Sequence, residues 1–135
     1  MRRGRARIGR LDLQMPGYRV RSAAAFASGV IVYLATLYRG LSYTQRLSLS
    51  GTSYLVFVCL LVVMGSILTV GLRCARYRIA SWMIAGVWVG HIVLVKWDWQ
   101  LDPTSHNLLP FEFIILGIVS LPAYVGVAVT HATGW

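Results

Sequence analysis

The residues with the widest chemical range lie in one short segment, Lys96 to Glu112. Its seventeen positions hold three of the chain's four acidic residues and one of its three histidines. A second histidine, His91, precedes the segment by five residues, which in a helix is about 8 Å along the axis. If the segment folds back over the rest of the chain, five side chains converge into one candidate site: His91, Asp98, Asp102, His106 and Glu112.

Two kinds of ligand suit this candidate site. A metal ion would take nitrogen ligands from His91 and His106 and one carboxylate, a mixture that zinc or iron accepts. A proton or a small polar ligand would need only a histidine near carboxylates. The spacing of these residues matches no fixed metal-binding motif. Haem ligation by two histidines is also disfavoured, because His131 lies at the opposite end of the molecule from His91. No cofactor is therefore predicted.

Ordinary helix chemistry accounts for most of these residues as well. Asp102 followed by Pro103 is a favourable helix start, and Pro110 and Glu112 suit the first turn of the next helix. On this interpretation the segment forms a short interfacial helix. This interpretation accounts for His91 least well, because an ionisable residue within an apolar helix marks a functional site by default. A hydrogen bond from His91 to a neighbouring helix would satisfy the imidazole equally.

Four apolar segments must position the candidate site. Residues 22–38, 54–72, 79–95 and 113–130 contain no Arg, Lys, Asp or Glu. A helix crosses a hydrocarbon layer of about 30 Å with roughly 17–25 residues, so each segment is long enough. Only 13% of the residues are charged, against about 25% in soluble domains. The sequence therefore predicts an all-α, polytopic membrane protein, a four-transmembrane-helix bundle with helices at about 22–38, 54–72, 79–96 and 109–130.

The N-terminal arm, residues 1–21, is strongly basic and precedes the predicted transmembrane domain, residues 22–135. One aspartate accompanies seven arginines, which we expect to contact lipid headgroups: Arg2, Arg3, Arg5, Arg7, Arg10, Arg19 and Arg21. Each would contribute about 1 kcal/mol at an anionic surface. Nucleic-acid binding normally brings stacking aromatics, and the arm offers Tyr18 alone. The predicted partners are therefore anionic lipids, with no nucleic acid.

The charges of the connections predict the orientation, because Lys and Arg in short loops stay in the cytoplasm. The second connection carries three arginines within six residues. The first is longer and carries two, and the third balances one lysine with two aspartates. We expect an N-in/C-in protein of the bacterial inner membrane, with the mitochondrial inner membrane as the alternative.

Small residues predict where helices approach one another. The third segment has a G-x-x-x-G pattern, and the fourth has a small residue at every third position. The predicted packing residues are Gly86, Gly90, Gly117, Ser120, Ala123 and Gly126. This pattern suits a bundle and a homodimer seam alike. Pro122 predicts a break in the fourth helix, since it cannot donate to the carbonyl of Ile118.

Enzymatic activity is not predicted. The chain has no G-x-S-x-G, H-E-x-x-H or phosphate-binding glycine loop, and Cys59 and Cys74 are too far apart for a C-x-x-C pair. One hypothesis is an accessory, assembly or scaffolding subunit of a larger membrane complex or homo-oligomer. The other is a channel, transporter or redox unit that binds a proton, metal or small ligand at the candidate site, on the non-cytoplasmic side.

Overall fold

A computed structural model describes residues 16–38, 45, 51–72, 76–101, 103 and 109–134, and no strand occurs among them. These residues form five α-helices and one π-helical turn: α1 (Pro16–Tyr33), the π turn (Leu34–Tyr38), α2 (Gly51–Thr69), α3 (Arg76–Leu101), α4 (Leu109–Ser120) and α5 (Pro122–Ala132). Four spans are long and apolar enough to cross a membrane: α1 with the π turn, α2, α3, and α4 with α5. The all-α class and the four apolar spans are therefore confirmed.

Three helix ends differ from the prediction on the N-terminal side of the chain: the start of α1 and both ends of α2, which begins at Gly51 instead of residue 54. α1 begins at Pro16, six residues before the predicted start, because proline suits the first turn of a helix. Arg19 and Arg21, which end the predicted N-terminal arm, therefore lie within α1. α2 ends at Thr69, and Gly71 follows with a φ of 73°, the left-handed conformation with which helices commonly finish.

α3 runs five residues past its predicted end, to Leu101. Lys96 and Asp98 therefore extend a helix, and only the remainder of the predicted connection joins α3 to α4. Trp97 and Trp99 in this extension are exposed, as aromatic residues at a membrane surface would be. The predicted interfacial helix falls on residues 102 and 104–108 and so lies outside the described residues.

The fourth span is interrupted at Leu121, between α4 and α5. The Leu121 amide donates to the Ile118 carbonyl at 3.2 Å. That carbonyl is the one that Pro122 deprives of its usual donor. The break is therefore a single tight turn, and the span continues from Pro110 to Ala132 as one apolar unit of 23 residues.

Glycines bring α1 and α3 into close contact. A Cβ on Gly86 would meet the backbone carbonyl of Phe26, and a Cβ on Gly29 would meet the backbone of α3. Gly90, one turn further along α3, lies against the Tyr33 ring. The two glycines of the G-x-x-x-G pattern thus face α1 of the same chain, so a larger residue there would disturb the bundle itself.

α2 and α5 form a second close pair, joined by small and hydroxyl residues. A Cβ on Gly126 would meet the Val62 carbonyl. Ser66 Oγ donates to the Gly126 carbonyl at 3.0 Å, and Thr130 Oγ1 donates to the Ser66 carbonyl at 3.2 Å. Such interhelical hydrogen bonds favour association where water is absent. The other predicted packing residues of the fourth span are buried or half-buried: Gly117, Ser120 and Ala123.

Two arginines lie at the end of the bundle where α2 finishes. Arg21 of α1 donates to the carbonyls of Leu68 and Val70. Arg76, at the start of α3, donates to the carbonyl four residues before it and, at 3.1 Å, to the Thr130 carbonyl of α5. The last carbonyls of a helix lack intrahelical donors, and cations are favoured there. We call Arg21 and Arg76 the arginine clamp.

A buried tyrosine, histidine and glutamate site

His91 lies in the second half of α3 and is 6% exposed. Its Nδ1 is 2.7 Å from the hydroxyl oxygen of Tyr33 at the end of α1. Its Nε2 is 3.7 Å from Oε2 of Glu112 in the first turn of α4. The first distance is that of a hydrogen bond, and the second is longer than one. These three residues, the polar triad, connect three of the four spans.

The close packing of α1 and α3 positions Tyr33. A Cβ on Gly90 would come within 3.2 Å of Tyr33 Cδ1, so the missing side chain at Gly90 makes room for the tyrosine ring. Tyr33 itself is 4% exposed, and its ring stands edge-to-face with the imidazole at 5.7 Å between centroids. The π turn starts directly after it, a feature that occurs frequently at functional sites.

Glu112 reaches the imidazole from the start of α4. Its side chain is 17% exposed, which makes it more accessible than the histidine. The first turn of a helix presents unpaired amides and the positive end of the helix dipole, and both favour a carboxylate there. The predicted role of Glu112 at a helix start and its contact with His91 are therefore compatible.

Phe113 forms the apolar wall of the polar triad. Its ring meets the imidazole at 4.9 Å between centroids, with an interplanar angle of 78°. It also contacts the Trp88 ring, at 5.4 Å and 43°. Beyond these rings an open apolar groove of about 520 Å³ separates α3 from the fourth span. The groove is lined by Ile84, Trp88, Phe113, Ile114, Gly117, Ile118, Ser120, Leu121 and Tyr124.

The hydrogen bonds of the polar triad depend on the protonation state of its members. An ionised carboxylate only accepts hydrogen bonds, so beside ionised Glu112 a neutral imidazole best carries its proton on Nε2. Nδ1 is then an acceptor, and the Tyr33 hydroxyl donates to it. When a second proton binds to His91, both nitrogens become donors and the Tyr33 hydroxyl must turn its proton elsewhere. Binding one proton therefore reverses one interhelical hydrogen bond.

Two of the five predicted site residues come together in the structure, His91 and Glu112. Asp98 is half-buried on α3, seven residues after His91, which is about 10 Å along the helix. Asp102 and His106 lie outside the described residues. Within the described ranges no three His, Cys, Asp or Glu side chains are grouped so that they could hold a metal ion.

His131 is far from this site. It is exposed in the last turn of α5, next to Thr130, which the arginine clamp contacts. Arg76 precedes His91 by fifteen residues of α3, or about 22 Å along the helix axis. The two histidines are thus at opposite ends of the bundle, as the sequence analysis expects, and they do not share a ligand.

Tyr33 is not among the site residues predicted from the sequence. It lies within a charge-free segment, where a tyrosine is indistinguishable from an ordinary apolar aromatic residue. Gly29 and Gly90 were the available signal, because small residues on two helices allow their backbones to approach. That signal identifies Tyr33 only if α1 and α3 are known to be neighbours.

Of the seven arginines expected at lipid headgroups, Arg19 and Arg21 belong to the described residues. Arg19 is exposed, whereas Arg21 is half-buried and donates to backbone carbonyls of α2. The five arginines nearer the N-terminus lie outside the described residues. Arg21 therefore has a structural contact in addition to the headgroup contact predicted for it.

The fold and the polar triad define a class of protein, an all-helical chain with four membrane-length apolar spans and a buried polar site near one end. Comparison with protein-family models, characterised proteins and solved structures finds no match. The function must therefore be inferred from the residues of the chain itself.

Proposed function

We propose that this chain is an integral, multi-pass membrane protein that binds a proton at the polar triad. The observation that carries the proposal is His91, an almost fully buried imidazole with a hydroxyl on one nitrogen and a carboxyl group 3.7 Å from the other. Intramembrane ionisable residues are costly, and they commonly mark proton or ion pathways. The two partners differ in chemistry, so the imidazole has a distinct neighbour for each protonation state.

A proton fits the polar triad better than a metal ion does. Within the described residues, His91 and Glu112 bring together two nitrogens and one carboxyl group, and Nδ1, one of the two nitrogens, is hydrogen-bonded to the Tyr33 hydroxyl. Zinc sites need at least three protein ligands. A proton needs only Nδ1 or Nε2 and an acceptor for the N–H bond that forms. This donor set therefore favours proton binding.

The charge distribution supports a non-cytoplasmic location for the triad. The basic N-terminal arm and the arginine-rich second connection favour the cytoplasm. The arginine clamp is at that end of the bundle, and His91 is about 22 Å further along α3 than Arg76. With N-in/C-in orientation in a bacterial inner membrane, Glu112 faces the periplasmic surface and exchanges protons there.

The proposal is tested by nitrogen-15 NMR of histidine-labelled protein in lipid nanodiscs, with His106→Gln and His131→Gln removing the other two imidazoles. We expect His91 to gain a proton between about pH 8 and about pH 5, the interval in which histidines change charge. Glu112→Gln should weaken proton binding, because the imidazolium loses its negatively charged acceptor. A single protonation state of His91 over the whole interval would overturn the proposal.

A second candidate function, an accessory subunit of a larger membrane assembly, is favoured by α2. Only 17% of its apolar window is buried within the chain, compared with 50% for α3, and α2 has no charged residue. Another membrane subunit would find there a broad apolar surface. Gentle extraction followed by native mass spectrometry tests this role: a stoichiometric partner supports it, and a lone chain with an intact polar triad contradicts it.

A further inference from the structure

We infer that proton binding at His91 is transmitted through Phe113 to Trp88 and changes the groove between α3 and the fourth span. This inference rests on the proposed function, because it needs His91 to bind a proton. It gives proton binding a structural consequence, a conformational change in a part of the bundle that faces the bilayer.

The rings form an unbroken series of contacts from the site to the groove. Phe113 meets the imidazole at 4.9 Å between centroids and Trp88 at 5.4 Å. Phe113 and Trp88 both line the groove. Phe113 also follows Glu112 directly in the chain, so a displacement of Glu112 moves the Phe113 backbone with it. Protonation of His91 can therefore act on Phe113 in two ways, through the imidazole ring and through the backbone of Glu112.

The distance between His91 and Glu112 gives the size of the change. Nε2 and Oε2 are 3.7 Å apart. A hydrogen bond between a charged donor and a carboxylate is about 2.7–2.9 Å long, so an imidazolium would draw the two atoms together by nearly 1 Å. Because Glu112 is in the first turn of α4, that approach moves the start of α4 toward α3.

The Phe113 contact changes in energy at the same time. An aromatic ring has a negative face and a positive edge, so its interaction with a neighbour depends on that neighbour's charge. The imidazole and Phe113 rings stand nearly perpendicular, at 78°. A positive charge on the imidazole therefore changes the energy of this contact, and we expect the Phe113 ring to readjust against Trp88, which it already contacts.

The ionisable groups around His91 are few within the described residues. Tyr33 faces it from α1 and Glu112 faces it from α4. α2 contains no Asp, Glu, Lys, Arg or His at all. On α3 itself Lys96 and Asp98 follow five and seven residues later. Within the described part of the chain, Tyr33 and Glu112 are thus the ionisable side chains in contact with the His91 imidazole, and Phe113 is its apolar neighbour.

Trp88 provides a direct measurement. In a variant that keeps Trp88 and replaces Trp82, Trp97, Trp99 and Trp135 by Phe, emission is recorded in lipid nanodiscs from about pH 5 to about pH 8. We expect the Trp88 emission maximum to shift with the same midpoint as the His91 NMR titration. The shift should be lost in His91→Gln. It should be clearly smaller in Phe113→Leu, which keeps the displacement of Glu112 but lacks the ring, although His91 still titrates in that variant.

Phe111→Leu is the matched control, because Phe111 is 61% exposed on the same helix and is not part of the groove lining. It should keep the full emission shift. Phe113→Met fills a similar volume without a ring and replaces Phe113→Leu if circular dichroism shows the latter to be misfolded. An emission shift that keeps its full size after the loss of the ring would overturn the route through Phe113.

The failure of this inference is distinguishable from the failure of the proposed function. If His91 titrates by NMR while Trp88 emission stays constant, the site binds a proton without moving the groove. If His91 does not titrate, the proposed function is wrong, and a groove movement driven by its protonation is excluded as well. A Trp88 shift that persists in His91→Gln would show that another group controls the groove.

Discussion

His91 meets its two partners at different distances, and this asymmetry determines what each partner contributes. The contact with Tyr33 is a direct hydrogen bond of 2.7 Å, whereas Glu112 stands 3.7 Å away. In the resting structure Tyr33 therefore holds the imidazole in place. Glu112 gains its contact when the imidazole becomes charged, so the two side chains act in different protonation states.

Tyr33→Phe should lower the stability of the bundle by about 0.6 kcal/mol, with ~1.7 kcal/mol as an upper value, because it removes one interhelical hydrogen bond in the membrane. Reversible unfolding in mixed micelles measures the difference. Tyr77→Phe is the matched control, since Tyr77 is 51% exposed and keeps its ring contact with Tyr124. An equal loss in both variants would contradict a specific role for Tyr33.

At the residue level the sequence predicted two of the three members of the polar triad, His91 and Glu112. His91 and Glu112 are conspicuous because ionisable residues are rare next to long apolar segments. Tyr33 carries no such signal, since a tyrosine is as acceptable to an apolar helix as a phenylalanine. Asp98 lies about two helical turns beyond His91, and its role in the site stays a prediction.

At the level of helices, the polar triad depends on how closely α1 and α3 approach. Gly29 and Gly86 bring the two backbones together, and Gly90 leaves space for the Tyr33 ring. Without this approach the tyrosine hydroxyl could not reach Nδ1 of His91. The glycines therefore position the site, although none of them contributes a polar side chain.

Gly86→Ala should destabilise the bundle by about 1–3 kcal/mol, the usual cost of overpacking, because its methyl group would meet the Phe26 carbonyl. The same substitution at Gly117 is the control, since a Cβ there would lie 3.5 Å from the Trp88 ring, an ordinary contact. Thermal unfolding of both variants in one detergent gives the comparison. If Gly86→Ala were as stable as Gly117→Ala, the close contact would be wrong.

Arg76→Gln should weaken the end of the bundle by about 0.3–1 kcal/mol, the value of a cation at a helix C-terminus. It loses the donors to the α2 end and to the Thr130 carbonyl. Arg78→Gln removes the same charge from an exposed position two residues away. The two variants should therefore differ in unfolding free energy, and equal values would exclude the arginine clamp as a stabilising contact.

The helices were predictable in their apolar parts and less so at their ends. The predicted apolar segments end at the first Arg or Lys, but a helix can continue past such a residue because its backbone hydrogen bonds do not depend on side-chain charge. α1 therefore extends back through Arg19 and Arg21, and α3 extends forward past Lys96 to Leu101. The break at Pro122 was predictable because a missing amide is a local property of one residue.

At the level of the whole molecule, charge predicts orientation and nothing in the sequence predicts which spans pair. Hydropathy identifies each helix separately, and a face of small residues does not show which other helix packs against it. The pairing of α1 with α3 and of α2 with α5 became visible only in the structure. The polar triad is a product of that pairing, since its three residues come from three different spans.

The N-in/C-in orientation predicts the behaviour of reporter fusions. A fluorescent protein joined after Trp135 should fluoresce, because it folds in the cytoplasm, and alkaline phosphatase at the same site should be inactive. A phosphatase inserted after Pro103, in the third connection, should be active because that connection is predicted to be periplasmic. The reverse pattern would place the polar triad on the cytoplasmic side.

The arginine clamp also bears on how the chain is assembled during synthesis. Arg76 bonds one carbonyl four residues before it and another on Thr130, fifty-four residues after it. The first partner precedes Arg76 in the chain, but the second is made only after α5 has been synthesised. Before that, Arg76 has one of its two carbonyl partners. We therefore expect α5 to complete the contacts of Arg76, and a chain truncated before Thr130 should be a better target for membrane proteases than a chain that includes α5.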